Sequence, residues 1–212
     1  MDVLRDILQD LDWRMGELAV LKTISYRYDI LPAHQYMLRK YSVPAVYAVW
    51  EGFVKNSFQC YIREINKLQL NASELHIHIL AHALTSDRRL SIENSFKDFS
   101  KKIKFVKTYN QVLVSPIQIN LDVPTKSNVN YQVINKILTT FNLSSIPDSF
   151  KKGLDKFLLY RNSIAHGDQA ISITEMDITN FIELVINLMI EVYLRIEEGI
   201  KLKTYLSHSE IE

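Results

Sequence analysis

The chain predicts an all-α, up-and-down helical bundle, and three observations carry that prediction. Only five Gly and five Pro occur in 212 residues, so long stretches lack turn residues. Apolar residues recur at steps of three and four over most of the length. The apolar fraction, 47%, is ample for a core, yet no run of about 18 uncharged apolar residues suggests a membrane span.

The elements follow in order. Residues 2–28 read as a first helix, with Val3, Leu4, Ile7, Leu8, Leu11, Met15, Leu18 and Leu21 at helical spacing. Leu31-Pro32 marks a break, followed by a short helical piece over 34–40. Ser42 suits an N-cap with Pro44 in the first turn, where a missing N–H costs little. A long second helix then runs to about Leu70, with Trp50, Phe53, Val54, Phe58, Tyr61, Ile65 and Leu68 on its main face. Ser73 is the expected cap of a histidine-rich helix over 74–84. Residues 87–127 read as an irregular, partly extended insertion. Within it, 92–109 is compatible with helix, while Ile103, Phe105 and Val112–Val114 also permit strand. Ser115–Pro124 alternates in polarity between prolines, as extended chain or a short hairpin arm would. Asn128 or Asn130 caps a helix to about Phe141. Ser144–Pro147 is a linker, and Asp148 is placed as the cap of the next helix.

The last helix has the clearest signal. Thr174-Glu175-Met176-Asp177 resembles a capping box, and an almost continuous apolar run follows from Phe181 to Ile196. Only Asn180, Glu183, Asn187, Glu191, Arg195 and Glu198 form a polar stripe. A helix this apolar is buried on more than one side, either at the bundle centre or against another subunit. The whole chain, 1–212, reads as one domain carrying the 87–127 insertion.

Bulk properties exclude several classes. Met1–Asp6 has no basic region leading into an apolar core, so no secretory signal is expected. A single Cys60 excludes an internal disulfide framework and fits a reducing cytoplasm. The formal net charge of +1 gives no whole-chain attraction to nucleic acid, so any such site must be local. No P-loop, Gly-rich phosphate cradle, Cys-based zinc motif or nucleophile elbow occurs. His76, His78 and His82 invite a metal reading, but His76 lies about 160° around a helix from His78. No metal or cofactor is therefore expected.

The chemistry concentrates in Arg161-Asn162-Ser163-Ile164-Ala165-His166. Phe150, Leu154, Phe157, Ile164 and Ala165 form an apolar stripe, and Arg161 falls on it where a core helix would carry Leu. A cation against apolar surface needs a partner or a task. The bland alternative pairs Arg161 with a core carboxylate such as Glu51 and lets His166 merely end the helix. Arg161 and His166 are about 140° apart on a regular helix, whereas Asn162 and His166 share a face. Three arrangements reconcile this: the helix ends before His166, the arginine bends around, or a second copy completes the site. Gly167 favours a helix end there.

Two further features bear on a site. Glu51 and Lys55 stand four apart, as a surface pair or as supporting residues if Glu51 faces the motif helix. Residues 88–107 hold seven basic residues (Arg88, Arg89, Lys97, Lys101, Lys102, Lys104, Lys107) against two acidic ones, a net of +5. With Phe96, Phe99, Phe105 and Tyr109 interleaved, this suits single-stranded RNA, or else is a solvated lysine face.

Arg161-Asn162-x3-His166-Gly167, at a helix end before a very apolar helix, resembles the R-x4–6-H signature of HEPN domains. Ala45–Lys55 is similar to the second helix of their MAE_28990/MAE_18760-like branch. The resemblance implies a metal-independent, usually homodimeric endoribonuclease of a prokaryotic toxin–antitoxin or antiphage defence system. Both protomers' motifs would then face one cleft, and an antitoxin or other defence protein would be a partner. It further implies that Arg161 clamps the scissile phosphate, His166 moves a proton, and Asn162 orients His166 or binds the phosphate. The alternative it leaves is a non-catalytic HEPN binding module partnering a nucleotidyltransferase or another defence protein.

Overall fold

A computed structural model describes residues 2–85, 98–126, 128–168 and 171–207. Among these residues the chain forms seven α-helices, one 3-10 turn and no strand. They are α1 (Asp2–Arg27), α2 (Pro32–Lys67), the 3-10 turn (Ala72–Glu74), α3 (Ile77–Thr85), α4 (Phe99–Leu113), α5 (Tyr131–Thr140), α6 (Ser149–Ala165) and α7 (Glu175–Leu202). The all-α expectation holds.

α2 organises the molecule. α1, α6 and α7 all pack on it, and α7 also packs on α1 and α6. Trp50, Phe53, Phe58 and Tyr61 on α2 are fully buried, as are Val185, Leu188, Met189, Val192 and Ile196 on α7. The apolar run of α7 is thus consumed mainly at the bundle centre. Only Ile190, Leu194 and the two ends, Met176 and Leu202, leave large apolar side chains exposed. Trp50 donates its indole N–H to the carbonyl of Val129 at 3.0 Å, so the largest core side chain leaves no buried donor unmet. The predicted capping box of α7 forms. The Thr174 hydroxyl accepts from the Asp177 N–H at 3.1 Å, and the Asp177 carboxylate accepts from the Thr174 N–H at 3.2 Å.

The first stripe differs at two positions. Val3, Ile7, Leu11 and Leu18 are buried, but Leu8 and Met15 face solvent. Arg14 takes the inward place, held by Asp10 at 2.9 Å and donating to the Val49 carbonyl at 3.1 Å. Gly52 makes room: a Cβ there would sit 2.8 Å from the guanidinium.

Four expectations near helix ends are corrected, one of them in part. Ser42 starts no helix; α2 runs unbroken from Pro32 with Pro44 inside it. Ser42 instead donates its hydroxyl to the Leu38 carbonyl, four residues back, at 2.7 Å. Tertiary packing on both sides outweighs the hydrogen bond that Pro44 removes. Ser73 is not a cap: Asn71 caps the 3-10 turn with Glu74, and α3 begins only at Ile77. Asp148 stands at the N-cap of α6 as expected, but its side chain caps nothing, because its backbone is helical and its carboxylate accepts the Tyr131 hydroxyl. Leu68, expected on the main face of the second helix, follows the end of α2 and is exposed.

Of the 87–127 insertion, residues 87–97 and 127 lie outside the described residues. The next part is helical, as α4, whose cap is Asp98. The alternating Ser115–Pro124 stretch is an extended strap along α2, the extended alternative rather than a hairpin. Ile117, Ile119 and Val123 are buried beneath it. Asn66 serves as a one-residue substitute for a neighbouring strand: its amide donates to the Ile119 carbonyl at 2.9 Å and accepts the Ile119 N–H at 2.8 Å. One isolated bridge, Asn71 to Pro116, is all the sheet pairing the strap makes among the described residues.

Candidate active site

α6 carries the motif, and its sequence stripe is its buried face. Leu154, Phe157, Leu158 and Ile164 are buried, whereas Ala165, expected on the stripe, is exposed. Arg161 is half-buried on the same side. Its guanidinium lies over the ring of Tyr47 on α2, 3.7 Å from the centroid. This answers the question of how a cation sits where Leu belongs. A desolvated cation–π contact contributes about 2 kcal/mol, enough to offset much of the lost hydration.

The ring beneath Arg161 is itself fixed. Tyr47 is 5% exposed, and its oxygen accepts the Val129 N–H at 2.9 Å. Phe157, one turn before Arg161, meets the same ring at 6.3 Å between centroids. Burial pushes the Tyr47 phenol above its ordinary pKa. The Val129 N–H pulls it down, the Glu51 charge adds to the rise, and the Arg161 charge opposes it. Glu51 therefore lies within electrostatic reach of the Tyr47–Arg161 pair. No ion pair joins Glu51 to Lys55 among the described residues, and Lys55 is exposed.

His166 ends the helix, as Gly167 led one to expect. It is the C-cap, exposed, with Gly167 in the left-handed region at φ 78°. The Gly167 N–H bonds the Ile164 carbonyl at 3.1 Å and the Asp168 N–H bonds the Ser163 carbonyl at 2.9 Å. Those two bonds define a Schellman cap, which sets the backbone direction at His166. Asn162 is half-buried, and its carbonyl accepts the His166 N–H at 2.9 Å.

Residues that the sequence reading missed hold the loop after His166. From the first half of α2, Lys40 donates to the Asp168 carbonyl at 3.2 Å, and Tyr36 to the Ile171 carbonyl at 3.4 Å. Arg39 pairs with Glu175 at 3.1 Å. Tyr36, Lys40, Tyr47 and Glu51 fall within about 60° of arc on one helix. That polar and aromatic stripe was the available signal. A helix start at Ser42, as the local cap signal predicts, separates 36 and 40 from 47 and 51 and hides it.

The structure does not bring the lysine cluster to this place. Lys101, Lys102, Lys104 and Lys107 are exposed on α4, which packs chiefly on the 3-10 turn. That anchorage is at the other end of α2, about 20 helical residues and on the order of 30 Å from Tyr47. Lys101 lies 3.5 Å from its own helix cap, Asp98. Arg88, Arg89 and Lys97 lie outside the described residues. The three histidines do not converge either: His76 and His78 meet edge-on at 4.9 Å between ring centroids, but His82 lies apart from them. His78 bonds the Thr139 carbonyl at 2.9 Å, and His82 packs edge-on against Phe141 at 5.3 Å. Among the described residues no three His, Cys, Asp or Glu side chains are grouped as metal ligands would be. No helix among them is long and apolar enough to cross a membrane.

A family model described as HEPN_MAE_28990-like HEPN matches residues 3–205. No curated protein and no solved structure matches the chain. The matched span runs from the first turn of α1 to beyond the end of α7 and includes the insertion. This chain belongs to the HEPN superfamily, in its MAE_28990-like branch, a membership that suggests a nuclease-type or defence-related module.

Proposed function

We propose that the chain is a metal-independent endoribonuclease of a prokaryotic toxin–antitoxin or antiphage defence system, working as a homodimer with two motif helices at one RNA strand. The carrying observation is the pairing of a ring-mounted guanidinium, Arg161, with an exposed histidine, His166, in a fixed helix cap five residues on. RNA contains its own nucleophile, so a cation, a proton carrier and correct positioning suffice.

In this reading His166 takes the proton from a ribose 2′-OH, or returns one to the departing oxygen. The 2′-oxygen bonds to phosphorus as the P–O5′ bond breaks, and the leaving 5′-oxygen gains a proton. The products are a 2′,3′-cyclic phosphate and a 5′-OH. Arg161 stabilises the charge that builds on the phosphoryl oxygens. Asn162 orients His166 or donates to the phosphate, and Glu51 supports the Arg161 side. Lys40 and Tyr36 act through the loop that follows His166. An antitoxin or other defence protein would cover this face when the enzyme is held inactive.

The test is incubation of purified protein with total RNA and tRNA in EDTA, beside Arg161→Ala and His166→Ala. Cleavage leaving 5′-OH ends, reduced by about 10²–10⁴-fold in His166→Ala, is expected. Equal cleavage in the two variants and the parent would reject the mechanism. Light scattering at micromolar concentration tests the dimer, and a monomer that cleaves at full rate would remove the shared cleft.

A further inference from the structure

Nothing in the motif assigns a role to Tyr47, yet its ring lies directly against the motif arginine. We propose that Tyr47 is the positioning residue for Arg161, a rigid ring platform that sets the plane and direction of the guanidinium. This inference rests on the ribonuclease reading above and adds a residue to its site.

The argument is geometric. An arginine on the core face of a helix can be held by a carboxylate or by an aromatic face. A ring contacts the guanidinium face, while the N–H donors lie in the plane and project from the edge. Stacking on a fixed ring therefore fixes the plane of the cation. Here the guanidinium lies 3.7 Å from the Tyr47 centroid. The platform cannot tilt easily: it is 5% exposed, its oxygen accepts the Val129 N–H, and its ring meets Phe157. Val129 is fastened in turn, since its carbonyl accepts the Trp50 indole N–H. Trp50 and Tyr47 lie on successive turns of α2, so one connecting segment locks both side chains. Phe157 and Arg161 lie on successive turns of α6, so both helices are registered on the same ring.

The consequence is that the ring matters most for turnover, and the hydroxyl, one of several contacts that hold the ring, matters less. Tyr47→Phe keeps the ring and is expected to hold kcat within about threefold of the parent. Tyr47→Leu removes it and is expected to lower kcat about tenfold or more, with KM changed less than about twofold. Added guanidinium ion should restore part of the activity of Arg161→Ala, and none of that of the Arg161→Ala/Tyr47→Leu double variant. Thermal unfolding monitors whether Tyr47→Leu is folded; the rescue of Arg161→Ala uses a native ring and does not depend on that variant.

A readout independent of cleavage separates the two hypotheses. Protons of the Arg161 side chain over a ring face resonate upfield, so NMR should show them shifted in the parent and in Tyr47→Phe. They should return to ordinary positions on loss of the ring. Full kcat in folded Tyr47→Leu, or no upfield shift in the parent, overturns the proposal. If the parent shows the shift but cleaves no RNA under any condition, the ribonuclease reading falls and takes the positioning role with it, while the stacking itself stands.

Discussion

The two ends of α2 hold the two basic, aromatic features that the sequence offers, and they are built in opposite ways. Around Tyr47, the cation Arg161 is mounted on a buried ring, and the loop after His166 is tied down by Lys40 and Tyr36. Each contact joins residues more than a hundred positions apart. At the far end, α4 buries only Val112, and it leaves Phe99 77% and Val106 54% exposed. Its lysines reach solvent and, in one case, their own helix cap. Both regions have positive charge beside aromatics. Only the first has charge whose position the fold decides, and positioned charge is what transition-state stabilisation requires.

That contrast is open to breakage at several points. The largest expected effect is on chemistry. His166→Ala and Arg161→Ala should each remove about 10²–10⁴-fold of RNA cleavage with little change in melting temperature, because His166 is exposed and Arg161 only half-buried. The next is on the fold that supports the motif end. Trp50→Ala should destabilise by about 3–5 kcal/mol in denaturant unfolding, since it empties a fully buried site and leaves the Val129 carbonyl without its donor. Gly199→Ala should cost about 1–3 kcal/mol, because its methyl group would run into Leu143 and crowd Thr204 at 3.2 Å and the Tyr61 oxygen at 3.3 Å.

A smaller effect tests the cap of α7. Thr174→Ala should cost about 1 kcal/mol. The same site gives a pH dependence. Burial raises the Asp177 carboxyl, but the Thr174 hydroxyl, the Lys156 ammonium at 3.1 Å and the Thr174 N–H together hold it below its ordinary value. A carboxyl depressed in the folded state stabilises above its unfolded pKa, and that stability is lost as pH falls through the lowered folded value. Acid unfolding of Asp177→Asn should accordingly be less steep in that range than that of the parent. The smallest effect belongs to the far end. Reversing Lys102, Lys104 and Lys107 to Glu should change stability by no more than about 0.5 kcal/mol and leave kcat unaltered. A large fall in kcat there would erase the distinction between the two ends.

Legibility followed locality. The capping box at Thr174 and the left-handed glycine after His166 are decided within four or five residues, and both are readable from the chain. So is the inward place of Arg161, because a helical stripe assigns faces without reference to partners. Ser42-Pro44 and Asp148 misled because each is a good local cap whose side chain was claimed elsewhere, by Leu38 and by Tyr131. Ser115–Pro124 showed its alternation plainly. What it pairs with, the side chain of Asn66 rather than a strand, is a contact more than fifty residues away.

The sequence by itself determined the helical class, the burial of α7 on more than one side, the family and the identity of the motif, because periodicity, caps and a short signature are properties of neighbouring residues. The tertiary structure alone decided what holds Arg161, which of two basic regions is built into the core, and that Tyr36, Lys40 and Tyr47 stand on one unbroken helix. Those outcomes depend on which distant surface each face meets. A side chain's spacing along the chain says where it points, and only packing says what is there.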